Sequence, residues 1–143
     1  PASARPRIAG AAPRASAAPL AANAIVIERH GGPELLALRR TSAPAPGPGE
    51  VRIRQTAIGV NYIDVYVRNG FYPLLTPPGT PGMEAAGRVI DVGDGVVGIL
   101  PGDRVAYACP PVGAYCDVRT MKADQLVVLP ADIDDETAAG LML

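Results

Sequence analysis

Glycine and proline interrupt this chain at short intervals, and they limit the length of its secondary structure elements. Each occurs 16 times in 143 residues. Proline breaks helix interiors and central strands, and glycine supplies the backbone conformations that tight turns need. The sequence therefore disfavours long helices over most of its length and favours short strands joined by turns.

The composition is typical of one globular domain. The chain length fits a single domain, and 48% hydrophobic residues allow a buried core. A formal net charge of -1 gives no electrostatic basis for binding nucleic acid or an anionic membrane. No apolar run reaches the roughly 20 residues that cross a bilayer. We expect the protein to bind neither nucleic acid nor a membrane and to lie in the cytoplasm.

Residues 1–22 differ in character from the rest. They contain ten alanines, four prolines and three arginines, without acidic residues and without a helix or strand period. We expect a disordered leader or tail here, and one domain over residues 23–143. A leader with arginines and no acids is also compatible with a transit peptide, which would place the protein in an organelle.

The domain is predicted to be mainly β with two short helices. The residues around His30 form a turn between two paired strands, and we expect His30 to be exposed there. Arg52 and Arg54 alternate with apolar residues, which predicts a solvated strand face. The strand patterns cover residues 24–28, 34–40, 51–60, 83–92, 104–108, 113–119 and 126–129.

Both predicted helices have recognisable start signals. Asn61 is a good N-cap, and Asp64 lies where it can face the free N–H groups of the first turn. Asn69 and Gly70 then provide a left-handed stop. The second helix starts near Asp134 and remains apolar to the last residue without a C-cap, which suggests truncation.

The few aromatic residues and the two cysteines are the remaining unusual features. Three of the five tyrosines fall at positions 62, 66 and 72. Two cysteines are too few for a disulfide framework, so we expect Cys109 and Cys116 to be reduced thiols, with a disulfide between them as the alternative.

Three segments together resemble a known family. They are AIGVNYIDVYVRNGFYP (57–73), PGMEAAGRV (81–89) and PGDRVAY (101–107). They resemble the amino-terminal, GroES-like domain of the medium-chain dehydrogenase/reductase superfamily. The spacing of Asn61, Tyr66 and Tyr72 resembles its zinc-independent quinone oxidoreductase branch, the zeta-crystallin type. The resemblance covers about residues 23–143.

The fold and scope follow from that resemblance. It implies a partly open β-barrel that forms the front half of a two-domain α/β reductase. In the family a Rossmann domain with a glycine-rich dinucleotide loop follows this part. By this resemblance the chain ends before that loop, so we expect it to be inactive alone.

The resemblance also implies that no zinc binds. The zinc-dependent members carry cysteine where Asn61 stands, and Gly-His-Glu where this chain has Gly82-Met83-Glu84. An amide and a thioether are poor replacements for a thiolate and an imidazole. We expect Glu84, paired with a base, and Gly87, in a close strand contact, to serve the fold.

Three residues are expected to form the site. In the family, the residue matching Asn61 lies by the nicotinamide of NADPH, and the residues matching Tyr66 and Tyr72 face the substrate. A phenol can donate a hydrogen bond to the carbonyl oxygen that gains charge during hydride transfer. We therefore expect Tyr66 and Tyr72 to be catalytic and Asn61 to bind cofactor. The alternative is that the tyrosines only fill the cleft wall.

Three functions remain open. The first is the catalytic domain of an NADPH-dependent quinone oxidoreductase, with metal-free hydride transfer to a small quinone and a homodimeric parent protein. The second is NADPH-dependent reduction of α,β-unsaturated carbonyls on the same scaffold. The third is a catalytically silent fragment or a crystallin-like structural protein.

Overall fold

The computed structural model describes residues 18–108 and 110–143. Within them lie seven strands, two α-helices and two short 3-10 turns, at Pro33–Leu35 and Ala123–Gln125. The strands are β1 (Leu20–Val26), β2 (Ala37–Ala43), β3 (Glu50–Gly59), β4 (Glu84–Val92), β5 (Arg104–Ala108), β6 (Val118–Lys122) and β7 (Val127–Val128). The helices are α1 (Tyr62–Arg68) and α2 (Asp135–Ala139).

The described strands form two open antiparallel sheets. β1 and β2 pair as a hairpin, with Ala24 opposite Arg39. The larger sheet has the order β6-β3-β4-β5-β7. The prediction of a mainly β fold with short helices is confirmed, and in the described residues neither sheet closes into a complete barrel.

The predicted exposure of Arg52 is wrong. Val51 and Ile53 are fully buried, as the alternation indicated, but Arg52 is also only 1% exposed, while Arg54 is exposed. Arg52 lies directly opposite Asp91 of β4, and its Nε donates to Asp91 Oδ2 at 2.7 Å. A buried guanidinium needs such a partner, and the neighbouring strand supplies it.

The ordered structure starts earlier than Asn23. β1 begins at Leu20, and Ala22 is buried in a small cluster with Ala43 and Val118. These apolar contacts draw three further residues into the hairpin. Disorder was predicted for residues 1–22, of which residues 1–17 lie outside the described residues.

Two predicted strands have different limits in the structure. The second strand starts at Ala37, because Pro33 opens a 3-10 turn instead. The segment before Val118 is irregular rather than a strand, with one isolated bridge between Cys116 and Ala24 of β1. There the Gly82 carbonyl accepts from the N–H groups of Gly113 and Ala114, at 2.8 and 3.0 Å. These contacts replace a regular strand ladder.

Gly87 makes the close strand contact that was expected of it. The register of β3 and β4 shifts between Gln55 and Ala57, beside Gly87. A Cβ on Gly87 would lie 2.3 Å from the backbone oxygen of Arg54, too close for any larger residue.

Neither α1 nor α2 of the described chain has the length and apolar character of a membrane-crossing helix.

Candidate functional site

Helix α1 begins and ends at the residues that the sequence indicated. Asn61 is the N-cap, and Asp64 Oδ2 accepts the Asn61 backbone N–H at 2.9 Å. At the other end Asn69 is the C-cap, and Gly70 adopts φ +84°. This left-handed conformation favours glycine, so the chain turns away immediately after one and a half to two helical turns.

The aromatic cluster consists of Tyr62, Tyr66, Phe71 and Tyr72. Tyr66 is its centre, with ring centroids 5.2 Å from Tyr62 and 5.4 Å from Phe71 and Tyr72. Tyr62 and Phe71 are 72% and 69% exposed, and Tyr72 is 40% exposed. Four of the six aromatic side chains in the sequence thus form one accessible surface.

Local backbone bonds hold the turn of this cluster in place. The Tyr72 N–H donates to the Tyr66 carbonyl at 3.1 Å, and the Phe71 N–H donates to Asn69 Oδ1 at 2.9 Å. The rings of Tyr66 and Tyr72 then meet edge to face, at 71°. This is a favourable arrangement for two aromatic rings.

The side chain of Asn61 points toward β4. Its Nδ2 donates to Glu84 Oε2 at 2.6 Å. Glu84 is 1% exposed, and its Oε1 accepts the backbone N–H groups of Met142 and Leu143, at 2.8 and 3.2 Å. We expected Glu84 to pair with a basic side chain, and this prediction is wrong for the described residues. Amide N–H groups are the donors to its carboxyl group.

A cavity of about 230 Å³ lies beside the start of α1. Asp64 is 5% exposed, and its Oδ2 also accepts a hydrogen bond from the Tyr115 hydroxyl at 2.8 Å. Burial, together with this bond to Asp64, raises the pKa of Tyr115. Among described groups Asp64 Oδ1 is buried without a hydrogen-bond partner. The lining residues are Leu36, Val60, Asn61, Asp64, Val65, Arg68, Pro81 and Tyr115.

Sequence reasoning missed Tyr115 as part of this region. Its partner Asp64 is 51 residues away in the chain. Gly82 makes the approach possible, since a Cβ there would lie 2.3 Å from the Tyr115 ring. No local pattern predicts such a contact, because it joins the loop before β6 to the first turn of α1.

The structure brings Tyr66 and Tyr72 together and places Asn61 at the N-terminal end of α1. Tyr66 lies within α1, and Tyr72 lies in the turn that follows it. Within the described residues no hydrogen bond joins Asn61 to either tyrosine. The assigned roles of the three residues stay predictions.

A second, mainly apolar groove of about 480 Å³ runs past Cys116, Ile25 and Ile58. Cys116 is half-buried, and burial raises the pKa of its thiol to about 11. The possible disulfide partner Cys109 lies outside the described residues, so that alternative is not tested.

The described residues contain no group of three or more His, Cys, Asp or Glu side chains placed to hold a metal ion. The absence of zinc stays a prediction that rests on Asn61 and Met83.

His30 is exposed, and its Nδ1 lies 3.2 Å from the Arg68 carbonyl oxygen, at the end of α1.

Known proteins resemble this chain in sequence. Residues 47–131 match the alcohol dehydrogenase GroES-like domain. A quinone oxidoreductase of Pseudomonas aeruginosa is 47% identical over 122 residues, which are 85% of this chain and 38% of that protein. A 2-haloacrylate reductase of a Burkholderia species is 45% identical over 125 residues, 84% of this chain and 38% of that protein.

Solved structures show the same fold. The Escherichia coli quinone oxidoreductase complexed with NADPH has a TM-score of 0.81 at 43% identity, covering 85% of this chain and 37% of that one. A 2-haloacrylate reductase has a TM-score of 0.77 at 43% identity, covering 85% and 36%. The chain thus spans less than two fifths of the length of these relatives.

Proposed function

The chain belongs to the alcohol dehydrogenase GroES-like domain family, and we propose that it supplies the substrate-facing part of an NADPH-dependent quinone oxidoreductase. The aromatic cluster around Tyr66 is the observation that carries this proposal. A flat quinone can stack on exposed aromatic rings, and buried apolar surface on both faces favours the complex. The identity to quinone oxidoreductases supports the choice of substrate.

The tyrosine hydroxyls supply the polar chemistry of this proposal. When bound, NADPH supplies a hydride, and negative charge then grows on the carbonyl oxygen of the substrate. The phenol of Tyr66 or Tyr72 donates a hydrogen bond to that oxygen and stabilises the charge. The two ring centroids are 5.4 Å apart, so both tyrosines belong to one patch.

Asn61 is the residue that suits the nicotinamide end of the cofactor. An asparagine amide has two N–H groups and one carbonyl oxygen, and one N–H goes to Glu84. Its second N–H can donate to the carbonyl oxygen of the nicotinamide carboxamide. Gly93, Gly95 and Gly98 have the spacing of a G-x-G-x-x-G motif, but no helix follows them to bind a pyrophosphate, so we propose that the described residues meet only the nicotinamide end of NADPH.

Reduction of α,β-unsaturated carbonyls is the second candidate. The specific observation in its favour is the 45% identity to a 2-haloacrylate reductase. Hydride addition to such a substrate also places charge on a carbonyl oxygen, so the same tyrosines would serve. For either substrate we propose that the parent protein binds no metal, lies in the cytoplasm and forms a homodimer.

The test is steady-state oxidation of NADPH by the full gene product that carries this chain. We expect turnover with a simple benzoquinone, and slower turnover with an unsaturated ketone or acid. The 143-residue chain alone should not turn over, because positioning by the phosphate contacts carries much of the rate. A gene product that is inert toward both substrate classes would overturn the enzymatic proposal and favour a silent structural role.

A further inference from the structure

Glu84 is a buried carboxyl group that joins two distant parts of the domain. It is the first residue of β4 and is 1% exposed. One oxygen accepts from the Asn61 side chain, and the other accepts from the backbone N–H groups of Met142 and Leu143. Both oxygens are thus engaged as acceptors, by three separate donors.

Gly59 keeps the space for this arrangement. A Cβ at position 59 would lie 2.5 Å from Glu84 Oε2 and 2.2 Å from the backbone oxygen of Ala139. Any other residue would push the carboxyl group or the end of α2 away. The φ angle of Gly59 is not in the left-handed region, so close approach is what requires the glycine here.

The contact with Glu84 decides which way the Asn61 amide faces. The two ends of an asparagine amide have nearly the same shape, so sterics alone do not distinguish the flipped orientation. Glu84 Oε2 accepts from Nδ2 and would repel Oδ1 in the same place. The orientation of the amide determines whether a donor or an acceptor faces a ligand at the other side.

We propose that Glu84 is a positioning residue that orients the Asn61 amide for the cofactor. The inference rests on the proposed function, in which Asn61 meets the nicotinamide end of NADPH. Toward the cofactor Glu84 acts through Asn61, since its carboxyl group is buried and bonds to the Asn61 amide. The hydrogen bonds from the Met142 and Leu143 N–H groups to Glu84 also hold the segment after α2 close to Asn61.

The Glu84→Gln variant in the full gene product tests this proposal. Glutamine keeps the shape, and its Oε1 can still accept from the 142–143 backbone, but its Nε2 meets Asn61 Nδ2 donor to donor. We expect the Asn61 amide to flip and the Kd for NADPH to rise about tenfold, as for the loss of one hydrogen bond. Fluorescence titration with NADPH measures this without a substrate.

A double-mutant cycle separates positioning from a general structural effect. We expect Asn61→Ala combined with Glu84→Gln to bind NADPH no more weakly than Asn61→Ala alone, because Glu84 acts through Asn61. Asp91→Asn is the matched control, since it makes the same carboxyl-to-amide change on the same strand. It should lower Tm and leave the Kd for NADPH within about twofold.

Each outcome supports or overturns the proposal. An unchanged Kd in Glu84→Gln, additive losses in the cycle, or an equal loss in Asp91→Asn would overturn the positioning role alone. If the unsubstituted gene product binds no NADPH, both this role and the proposed function are overturned.

Discussion

The hydroxyl of Tyr115 donates to Asp64 Oδ2 at 2.8 Å, and this bond connects the loop before β6 to the first turn of α1. The same carboxylate oxygen accepts the backbone N–H of Asn61 at 2.9 Å. The start of the helix that carries the candidate site is therefore held by tertiary contacts as well as by its own cap. Five predictions test the site and the fold around it.

We expect Tyr66→Phe to lower kcat with a benzoquinone by roughly tenfold or more, while the KM for NADPH changes little. The substitution keeps the ring of the aromatic cluster and removes the donor that stabilises the charged oxygen. Steady-state kinetics of the full gene product measures both constants. Tyr66→Leu, which also removes the ring, should in addition raise the KM for the quinone. An unchanged kcat in Tyr66→Phe would assign the tyrosine to the cleft wall only.

Asn61→Ala should have the opposite pattern and weaken NADPH binding more than it lowers kcat. The expected rise in Kd is about tenfold, the effect of one lost hydrogen bond. The same change also removes the N-cap of α1, which contributes about 1 kcal/mol. Asn61→Ser is the control, because serine keeps the cap and lacks the amide. If Asn61→Ser binds NADPH as tightly as the unsubstituted protein, the amide does not contact the cofactor.

The protein should contain far less than one zinc ion per chain when it is purified without added metal. Asn61 and Met83 stand where the zinc-dependent members have their cysteine and histidine ligands, and neither side chain is a good zinc ligand. Elemental analysis before and after treatment with a chelator gives the stoichiometry. A stoichiometric zinc that resists the chelator would contradict the zinc-independent assignment.

Asp91→Ala should destabilise the fold by about 3 kcal/mol, since it leaves the buried guanidinium of Arg52 without a carboxylate, bonded only to backbone carbonyl groups such as that of Ala18. The Arg52 side chain is 2% exposed, and Asp91 is 19% exposed. Urea unfolding followed by circular dichroism measures the change. Lys122→Ala is the control, because the Lys122–Glu50 pair is far more exposed, and it should lose less than about 1 kcal/mol. Equal losses in the two variants would show that Arg52 finds other partners.

Cys116 should react slowly with iodoacetamide at pH 8 and faster as the pH rises toward 11. Burial raises the pKa of this thiol from 9.0 to about 11, and only the thiolate is the nucleophile. At pH 8 the thiolate fraction should therefore be about 100-fold below that of a thiol with pKa 9. The fold also loses stability as the pH rises from 9 to about 11, because the unfolded chain releases this proton before the folded one does. Peptide mapping after timed alkylation distinguishes Cys116 from Cys109, and rapid labelling of Cys116 at pH 8 would contradict its burial.

Local signals were sufficient for the elements that carry the site. Asn61, Asp64 and Gly70 mark the limits of α1 because capping and left-handed conformations depend on a few neighbouring residues. The strands β3, β4 and β5 follow from alternation and from turn residues between them. The rings of Tyr62, Tyr66 and Tyr72 lie together because α1 and the turn after it bring them into contact.

Only the tertiary structure decided what the polar residues do. The sequence predicted a solvated Arg52, but β4 places Asp91 opposite it. It predicted a basic partner for Glu84, but the chain after α2 brings two backbone N–H groups to its carboxyl group. Tyr115 acquires its role from Asp64, which is 51 residues away. A hydrogen bond across such a distance depends on how strands and loops pack, and no sequence window contains both partners. The sequence by itself therefore determined where the chain turns and which residues pair locally, while packing determined which buried polar groups meet.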